Sequence, residues 1–433
     1  MKKLLILSII SILFLSFFAG CSKSSSSTNG KDVVELKFFH RWPNQPKKQF
    51  FEKAVKEFEK AHPNIKIKTE AVLNDSYKEK IRVVLGSSTP PDVYFSWSGE
   101  FAYNFARQGQ SLDLTNYVNE DKAWSDQIIA SQFNAFTLDG KIYGIPWSTD
   151  GKAFFYNKKI FKDLNLEVPT TWSELIDVSK KVKAAGLTPI TFGSKAPWTI
   201  SHYIGTLNQL MVPQDVLDKD YDPKNPEGDY THPGYVKALE KFMELKPYFN
   251  KGVNSVDHEY SRELFNSGKA AIGFFQLAEI GLIEPSLKED LGVFNVPGVE
   301  GGEGGEGNAN SITAAPEGIM ISSKTKHPKE AMEFVKFLTS KEKGSEQLKE
   351  VSEYSAVKGT TTDENASKLQ QDAINLIVNA EQTYLWFDTA VDIKIVDAYL
   401  NGTQLMLDGK KSPEEVMKDV RAAAKEVKAS AKK

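Results

Sequence analysis

The chain has 433 residues, 54 Lys and Arg against 57 Asp and Glu, a formal net charge of −3, and 40 % hydrophobic residues. Both signs of charge are spread along the chain, with no basic block beyond a Lys-rich C-terminal helix, which argues against a nucleic-acid partner. At roughly 100–200 residues per domain, this length favours two domains over one core.

The N-terminal segment has the pattern of an export signal that ends at a lipid-modified cysteine. Two lysines precede an apolar run over residues 4–19, which is shorter than the ~20 residues needed to span a bilayer. The run leads to Phe-Ala-Gly-Cys at Cys21, which resembles a bacterial lipobox, although Leu is usual at the position of Phe18. Cys21 is the only cysteine, so we expect a lipid anchor there and a flexible Ser-rich tether over 22–32. The alternative is an ordinary secretory signal with a coincidental cysteine.

The first part of the chain that follows alternates predicted strands and helices. Apolar runs predict strands over 33–40, 65–72 and 92–95, and helical spacing predicts helices over 47–61, 77–85 and 101–108. This alternation with short loops is typical of a sheet covered by helices on both faces. Ligands of such sheets bind beyond the C-terminal ends of the strands. The polar and aromatic residues at these ends are Arg41, Trp42, Trp97, Ser98 and Glu100.

Residues 140–161, GKIYGIPWSTDGKAFFYNKKIF, are the stretch around which the chain is organised. A short hairpin is expected over 141–146, and Pro146 is expected to end it because proline has no N–H to donate. A new extended segment is expected over 152–156. Trp147 and Asp150 then lie where one sheet stops and the next begins, a position suited to holding a polar ring.

The rest of the chain repeats the strand–helix rhythm. Helices are predicted over 172–185, 199–211, 233–245, 261–267 and 327–338, and strands over 188–192, 270–275, 293–296 and 318–322. The polar segment 212–230 is expected to be a surface excursion. The Gly- and Glu-rich segment 300–310 is expected to be a flexible surface loop, since its glutamates would repel phosphate. Ser412 and Pro413 mark the start of the last helix.

The stretch GK-x-YG-x-P, followed about ten residues later by YNK-x-x-F, resembles the crossover signature of the extracellular solute-binding proteins of ABC importers. It is most similar to those that carry sugars, of the maltose or multiple-sugar type. GK-x-SPEE at 409–415 resembles their C-terminal signature, so the resemblance covers the chain from about Val33 to its end.

This resemblance implies an α/β, two-lobed periplasmic-binding-protein-like fold of type II, with two doubly wound domains joined by a hinge. The N-terminal lobe would comprise 33–145 and about 313–345, and the C-terminal lobe 146–312 and about 346–433. The implied protein is a lipid-anchored monomer on the outer face of the cytoplasmic membrane. It would capture an oligosaccharide and deliver it to permease subunits driven by a separate cytoplasmic ATPase.

Sugars present flat C–H faces and rims of hydroxyls, which aromatic rings and polar side chains bind together. Five of the seven tryptophans lie beyond a predicted strand end or in a predicted loop: Trp42, Trp97, Trp147, Trp198 and Trp386. For each indole the alternative is packing against the core of its own domain.

Three carboxylates are the expected partners of these rings: Glu100, Asp150 and Asp388. For each, the alternative is a helix cap or a surface charge. The resemblance favours Trp147 and Asp150 most, because they follow the YG-x-P step, and it adds Gln276 at the end of the 270–275 strand. Arg41 is either a ligand contact or a loop stabiliser.

Catalytic and metal-binding signals are weak in this sequence. The six histidines show no HExxH pattern, no serine stands in a GxSxG context and no nucleotide motif occurs, so we expect neither enzyme activity nor a cofactor. One alternative is a glycosidase that uses Glu100 and Asp150. Another is a binding protein for a modified sugar or a sugar conjugate, where Arg41 and Lys195 would matter for an anionic ligand.

Overall fold

The protein is represented by a computed structural model that describes residues 33–224, 226–299 and 306–431. The predicted leader, the proposed lipid site at Cys21 and the tether lie outside the described residues. Most of the Gly- and Glu-rich segment, 300–305, also lies outside them.

The strands are named in chain order. They are β1 Val34–His40, β2 Ile65–Ala71, β3 Val93–Trp97, β4 Thr137–Leu138, β5 Lys141–Ile142, β6 Gly144–Asn157, β7 Thr188–Thr191, β8 Ala270–Gln276, β9 Leu291–Phe294, β10 Ser311–Ile321, β11 Tyr354–Ser355 and β12 Gln382–Tyr384.

The α-helices are named in the same way. They are α1 Lys47–Ala61, α2 Asn74–Gly86, α3 Glu100–Arg107, α4 Thr115–Glu120, α5 Lys122–Ser125, α6 Lys158–Asp163, α7 Trp172–Ala184, α8 Trp198–Met211, α9 Gln214–Asp220, α10 Gly234–Leu245, α11 His258–Asn266, α12 Ile280–Leu287, α13 Pro328–Leu338, α14 Lys341–Val351, α15 Lys368–Val378, α16 Phe387–Ala390, α17 Ile393–Leu407 and α18 Pro413–Ala431. Short 3₁₀ turns connect several of them.

Several helix boundaries carry a local cause in the sequence. Helix α7 begins after Thr171, whose side chain forms a reciprocal capping box with Glu174. At the start of α18 the Ser412 hydroxyl accepts from the backbone N–H of Glu415, as predicted for Ser412. The first predicted helix, 47–61, coincides with α1, which buries Phe50, Phe51, Ala54 and Phe58 on one face.

The main sheet has the strand order β2-β1-β3-β10-β6-β8-β7. Strands β1, β2 and β3 are mutually parallel where they pair, and β7 is parallel to β8. Strands β10 and β6 are antiparallel to each other and to the strands that flank them in this order. The parallel groups therefore lie on either side of an antiparallel pair.

This antiparallel pair, β6 and β10, belongs to two lobes at once, and we call these two the crossing strands. Near its C-terminal end β10 pairs with β3, while its first residues pair with β12. Strand β6 pairs with β8 and β9 only from Lys152 onward. We call the part built on β1, β2 and β3 the first lobe, and the part built on β7, β8 and β9 the second lobe. The residue boundaries of the lobes given in the sequence analysis remain a prediction.

Each lobe has its own aromatic core. In the first lobe Phe38 packs with its ring centroid 5.6 Å from Phe51 and 5.4 Å from Phe334. In the second lobe Phe154 lies 5.0 Å from Phe274, and Tyr203 lies 4.5 Å from Phe274. Burial of such large rings contributes strongly to the folding free energy of each lobe.

Two expectations for local structure were wrong. Pro146 does not end a hairpin, because β6 continues through it to Asn157. The pairing with β10 shifts register between Glu317 and Gly318, so a bulge at Trp147 accommodates the proline. The segment 212–230 is not a mere surface excursion, because it contains α9 and buries Tyr221 and Tyr230.

Candidate functional site

The crossing strands present two different faces. Asp150 is paired with Ala315 and Ser148 with Glu317, and side chains alternate along a strand. Asp150 and Glu317 therefore share one face, which we call the carboxylate face. Thr149 and Pro316 share the other, which we call the opposite face.

Asp150 is held by donors from its own strand and from the end of β8. Its carboxylate accepts from the backbone N–H of Gly151 at 2.8 Å, from that of Ala278 at 3.1 Å and from the side chain of Gln276 at 3.0 Å. Burial, together with the charges of Glu353 and Glu317, raises the pKa of Asp150 well above its usual value. The structure thus brings the predicted residues Asp150 and Gln276 together.

Arg41 connects the end of β1 to Glu317 on the carboxylate face. Its guanidinium donates to Glu317 at 2.6 Å and to Asn74 at 2.8 Å. It also lies 4.9 Å from the ring centroid of Trp42 and 5.3 Å from that of Trp97, within cation–π range. Burial raises the pKa of Glu317 even though Arg41 opposes this shift.

Three predicted tryptophans belong largely to the first-lobe core. Trp42 stacks on Phe51 with centroids 5.0 Å apart and lies 4.9 Å from Trp147. Trp147 is 1 % exposed, and Trp97 packs edge-on against Phe95 and Phe101. The indole nitrogens of Trp42 and Trp147 are buried without a hydrogen-bond partner among the described residues. Trp147 lies within β6 rather than in the loop that the sequence predicted.

Two predicted residues of the second lobe contact the first lobe directly. The indole N–H of Trp198 donates to Asp75 at the start of α2 at 3.0 Å. Asp388 forms an ion pair with Lys78 of α2 and also accepts from the hydroxyl of Ser201 at 2.8 Å. These contacts join the lobes across the carboxylate face.

Trp386 packs with the first-lobe core and also contacts His202 of the second lobe. It is 2 % exposed and lies with its ring 4.6 Å from that of His202 on α8. The Nδ1 atom of His202 is buried without a partner among the described residues. Burial, aided by the charge of Lys152, lowers the pKa of His202 well below its usual value, so this imidazole is neutral.

No described contact joins Ser98 or Glu100 to the other predicted ligand residues. Glu100, the first residue of α3, forms an ion pair with Arg107, the last residue of the same helix. The Ser98 hydroxyl is buried without a described partner. Between them Gly99 has φ 73°, and a Cβ there would come within 2.9 Å of the Thr389 carbonyl, so this position requires glycine for α3 to approach α16.

Sequence reasoning missed a polar cluster beside Asp150. His258 lies 2.9 Å from Glu279, and Arg262 donates to the same carboxylate at 2.7 Å. Burial alone would raise the pKa of Glu279, but His258 and Arg262 hold it well below its usual value. Lys152, two residues after Asp150 on β6, is also buried. Strand periodicity would have identified Lys152 if β6 had been predicted as one strand, whereas no local signal links His258 to Glu279.

A cavity of about 900 Å³ lies on the opposite face of the crossing strands. Both lobes line it, and most of its wall is apolar. Its polar lining residues include Tyr103, Gln132, Asn134, Thr149, Lys224 and Tyr354. None of the predicted ligand residues lines this cavity. The cavity therefore indicates a ligand site on the opposite face, whereas the predicted residues indicate one on the carboxylate face. We favour the carboxylate face, because its charged groups and unpaired buried polar atoms are suited to a polar ligand.

No group of His, Cys, Asp and Glu side chains in the described residues is arranged to hold a metal ion. Among the same residues, every helix is too short or too polar to cross a bilayer.

Comparison with known proteins gives consistent relatives. The chain is 27 % identical over 401 residues to the multiple sugar-binding protein of Streptococcus mutans, covering 89 % of each chain. It is 29 % identical over 325 residues to an uncharacterized ABC transporter extracellular-binding protein of Pyrococcus horikoshii, covering 72 % of this chain and 70 % of the relative. A solved chitin oligosaccharide binding protein superposes with a TM-score of 0.83 at 24 % identity, covering 92 % of this chain and 100 % of that one.

These likenesses confirm the predicted fold class, two α/β lobes of the type II periplasmic-binding-protein kind. The family model for bacterial extracellular solute-binding proteins matches residues 42–344, which include both crossing strands. The chain therefore belongs to the bacterial extracellular solute-binding protein family, as its crossover and C-terminal signatures predicted.

Proposed function

We propose that this protein captures an oligosaccharide between its two lobes and delivers it to the membrane permease of an ABC importer. The observation that carries the proposal is the meeting of indoles, carboxylates and cations from both lobes on the carboxylate face. Trp198 and Asp388 of the second lobe contact Asp75 and Lys78 of the first across this face. Indole faces and charged rims are the two features that sugar rings require.

The relatives support the same class of ligand. One is named a multiple sugar-binding protein, and one solved neighbour is a chitin oligosaccharide binding protein. Several tryptophans in one site suit a ligand of several stacked units better than a single sugar. A di- to tetrasaccharide is therefore the ligand that we propose.

The predicted residues fall into two roles in this proposal. The direct contacts are Arg41, Trp97, Asp150, Trp198, Gln276, Trp386 and Asp388. Trp42 and Trp147 support them from the first-lobe core, since their ring faces are covered by other aromatic residues. Ser98 and Glu100 flank Gly99, where α3 approaches α16, and are not assigned a direct contact.

The family acts outside the cytoplasm, and its relatives are binding proteins of ABC transporters. We further propose that the chain is a monomeric carrier without enzyme activity, held at the outer face of the cytoplasmic membrane by a lipid on Cys21. The lipobox-like sequence at Cys21 and the Ser-rich tether after it support the anchor. The energy for transport would come from a separate cytoplasmic ATPase.

Thermal-shift screening of the mature protein against a glycan panel, with chromatography of the glycans afterwards, tests this function. The panel contains malto-, xylo-, cello-, chitin- and galacto-oligosaccharides and acidic oligosaccharides of two to four units. A raised melting temperature with an intact glycan is the expected result. A raised melting temperature with cleavage of the glycan would identify a glycoside-acting enzyme instead. No shift with any member of the panel would contradict carbohydrate capture.

A further inference from the structure

Lys152 is a buried cation that the proposed function does not yet use. It follows Asp150 by two residues on β6, so its side chain lies on the carboxylate face. The residue is 2 % exposed. Among the described residues, no hydrogen bond or ion pair engages its ammonium group. A buried charge without a partner costs several kcal/mol in general, so this position calls for an explanation.

The nearby carboxylates are already engaged by other donors. Glu279 is shared between His258 and Arg262, and Asp150 accepts from Gln276 and from two backbone N–H groups. Both carboxylates favour the charged form of Lys152, yet burial outweighs them and lowers the pKa of Lys152 to about 8.

Another buried lysine shows what a structurally paired lysine looks like in this protein. Lys343 is also 2 % exposed, and its ammonium forms ion pairs with Glu57 and Glu346. The ammonium of Lys152 instead lies 5.8 Å from the ring centroid of Trp198 and 5.5 Å from that of Phe274. Lys152 thus points among aromatic rings beside the proposed ligand contacts rather than into a protein ion pair.

Positive groups lie beside Lys152 as well as carboxylates. Helix α8 begins at Trp198, so the positive end of its dipole lies near the ammonium. Arg262 adds a second positive charge, while Glu279 and Asp150 act on Lys152 as negative charges. His202 has an unpaired Nδ1 next to this group. A ligand anion here would have both a charge partner and aromatic walls.

We propose that Lys152 is a specificity-determining residue whose ammonium binds the carboxylate of an acidic sugar, so that the ligand class is an oligosaccharide containing uronic acid. This inference rests on the proposed capture of a carbohydrate on the carboxylate face. It also assigns the anion-binding role to a different residue from Arg41, which is already paired with Glu317, and from the exposed Lys195.

The test uses matched acidic and neutral probes. They are the trisaccharide of α-1,4-linked galacturonic acid, the aldotriouronic acid released from glucuronoxylan, and the carboxyl-reduced form of each. Calorimetric titration at pH 7 compares the wild-type mature protein with Lys152→Gln and with the control Lys195→Gln, which removes an exposed lysine. Thermal melting of each variant checks that it is folded.

We expect at least one acidic probe to bind roughly 30-fold or more tightly than its reduced form, as for a buried charge pair. Lys152→Gln should reduce this preference to within about threefold, and Lys195→Gln should leave it intact. The inference is overturned if both reduced forms bind as tightly as their acidic parents, if neutral glycans of the panel are the tightest ligands, or if a folded Lys152→Gln keeps the wild-type preference. If Lys152→Gln does not fold, the wild-type comparison still decides the ligand class, and Lys152→Met takes its place in testing the residue. Absence of binding by every glycan would instead remove the proposed function itself.

Discussion

The indole N–H of Trp198, the first residue of α8, donates a hydrogen bond to Asp75 near the start of α2 at 3.0 Å. Trp198 belongs to the second lobe and Asp75 to the first, and the ion pair between Asp388 and Lys78 joins the same two lobes. Both contacts lie on the carboxylate face of the crossing strands. Two polar contacts therefore join the lobes beside the proposed ligand site.

Asp75→Ala should shift the protein without ligand toward an open arrangement. A hydrogen bond of this kind contributes about 1 kcal/mol, so the ratio of open to closed molecules should rise roughly fivefold. Small-angle X-ray scattering should record a larger radius of gyration for Asp75→Ala than for the wild type. Asp177→Ala, which removes an exposed carboxylate of α7, is the control and should match the wild type. An unchanged radius in both variants would show that this contact does not hold the lobes together.

Trp147→Ala should destabilise the protein as well as weaken binding. Trp147 is 1 % exposed and packs on Trp42 and Phe51, so its truncation should cost about 3–5 kcal/mol of unfolding free energy. Trp147→Phe keeps most of the ring and should cost much less. Urea unfolding of both variants measures the difference. A Trp147→Ala protein with wild-type stability would mean that the indole is a ligand contact rather than a core residue.

Stability should fall in mild acid because of His40. Burial lowers the pKa of His40 to about 3 from 6.5. Between these values the unfolded chain binds a proton that the folded chain does not, so the unfolding free energy decreases as the pH falls from 6.5 toward 3. The ring of His40 accepts a hydrogen bond from the backbone N–H of Trp42. His40→Gln should keep an acceptor for this N–H and should reduce the dependence of the unfolding free energy on pH. Equal slopes from pH 7 to pH 5 in both proteins would contradict the assignment.

Binding of an acidic glycan should weaken in alkaline solution. The pKa of Lys152 is about 8 in the protein without ligand, and a ligand carboxylate would raise it. The affinity should therefore be nearly constant below pH 8 and fall above it, up to about tenfold per pH unit. The ionisable groups near Lys152 are Asp150, Glu279, Arg262 and His202. Burial and neighbouring carboxylates raise the pKa of Asp150, His258 and Arg262 hold that of Glu279 below its usual value, and burial lowers that of His202. Calorimetry with the acidic probe from about pH 8 to about pH 9.5 gives the profile, and a flat profile would argue against an ammonium–carboxylate contact.

Much of the fold was predictable because its signals are local. The apolar face of 47–61 gave α1 with its observed bounds, and the strand ends placed Arg41 and Trp97 at the edge of the first-lobe sheet. Pro146 misled the prediction, because the loss of one N–H is tolerated at a bulge. The segment 212–230 also misled the prediction, because its sequence is polar but part of it is buried. Tyr230 and Tyr235 both donate hydrogen bonds to Asp220 in this buried network.

The site was only partly predictable because its contacts join distant parts of the chain. The sequence indicated Trp198 and Asp388, but their partners Asp75 and Lys78 carry no local pattern. Burial of Trp42 and Trp147 against other aromatic rings depends on tertiary packing. Lys152 escaped notice for a different reason, since the broken strand in the prediction concealed its alternation with Asp150.

The most direct test of the central claim is a calorimetric titration with the tightest glycan of the panel, which asks on which face of the crossing strands the ligand binds. It compares the wild type with Trp198→Ala on the carboxylate face and with Gln132→Ala in the cavity of the opposite face. We predict one site per chain, a loss of at least about tenfold in affinity for Trp198→Ala and a change within about threefold for Gln132→Ala. The reverse pattern, with Gln132→Ala impaired and Trp198→Ala unaffected, would place the ligand in the opposite cavity and contradict the account.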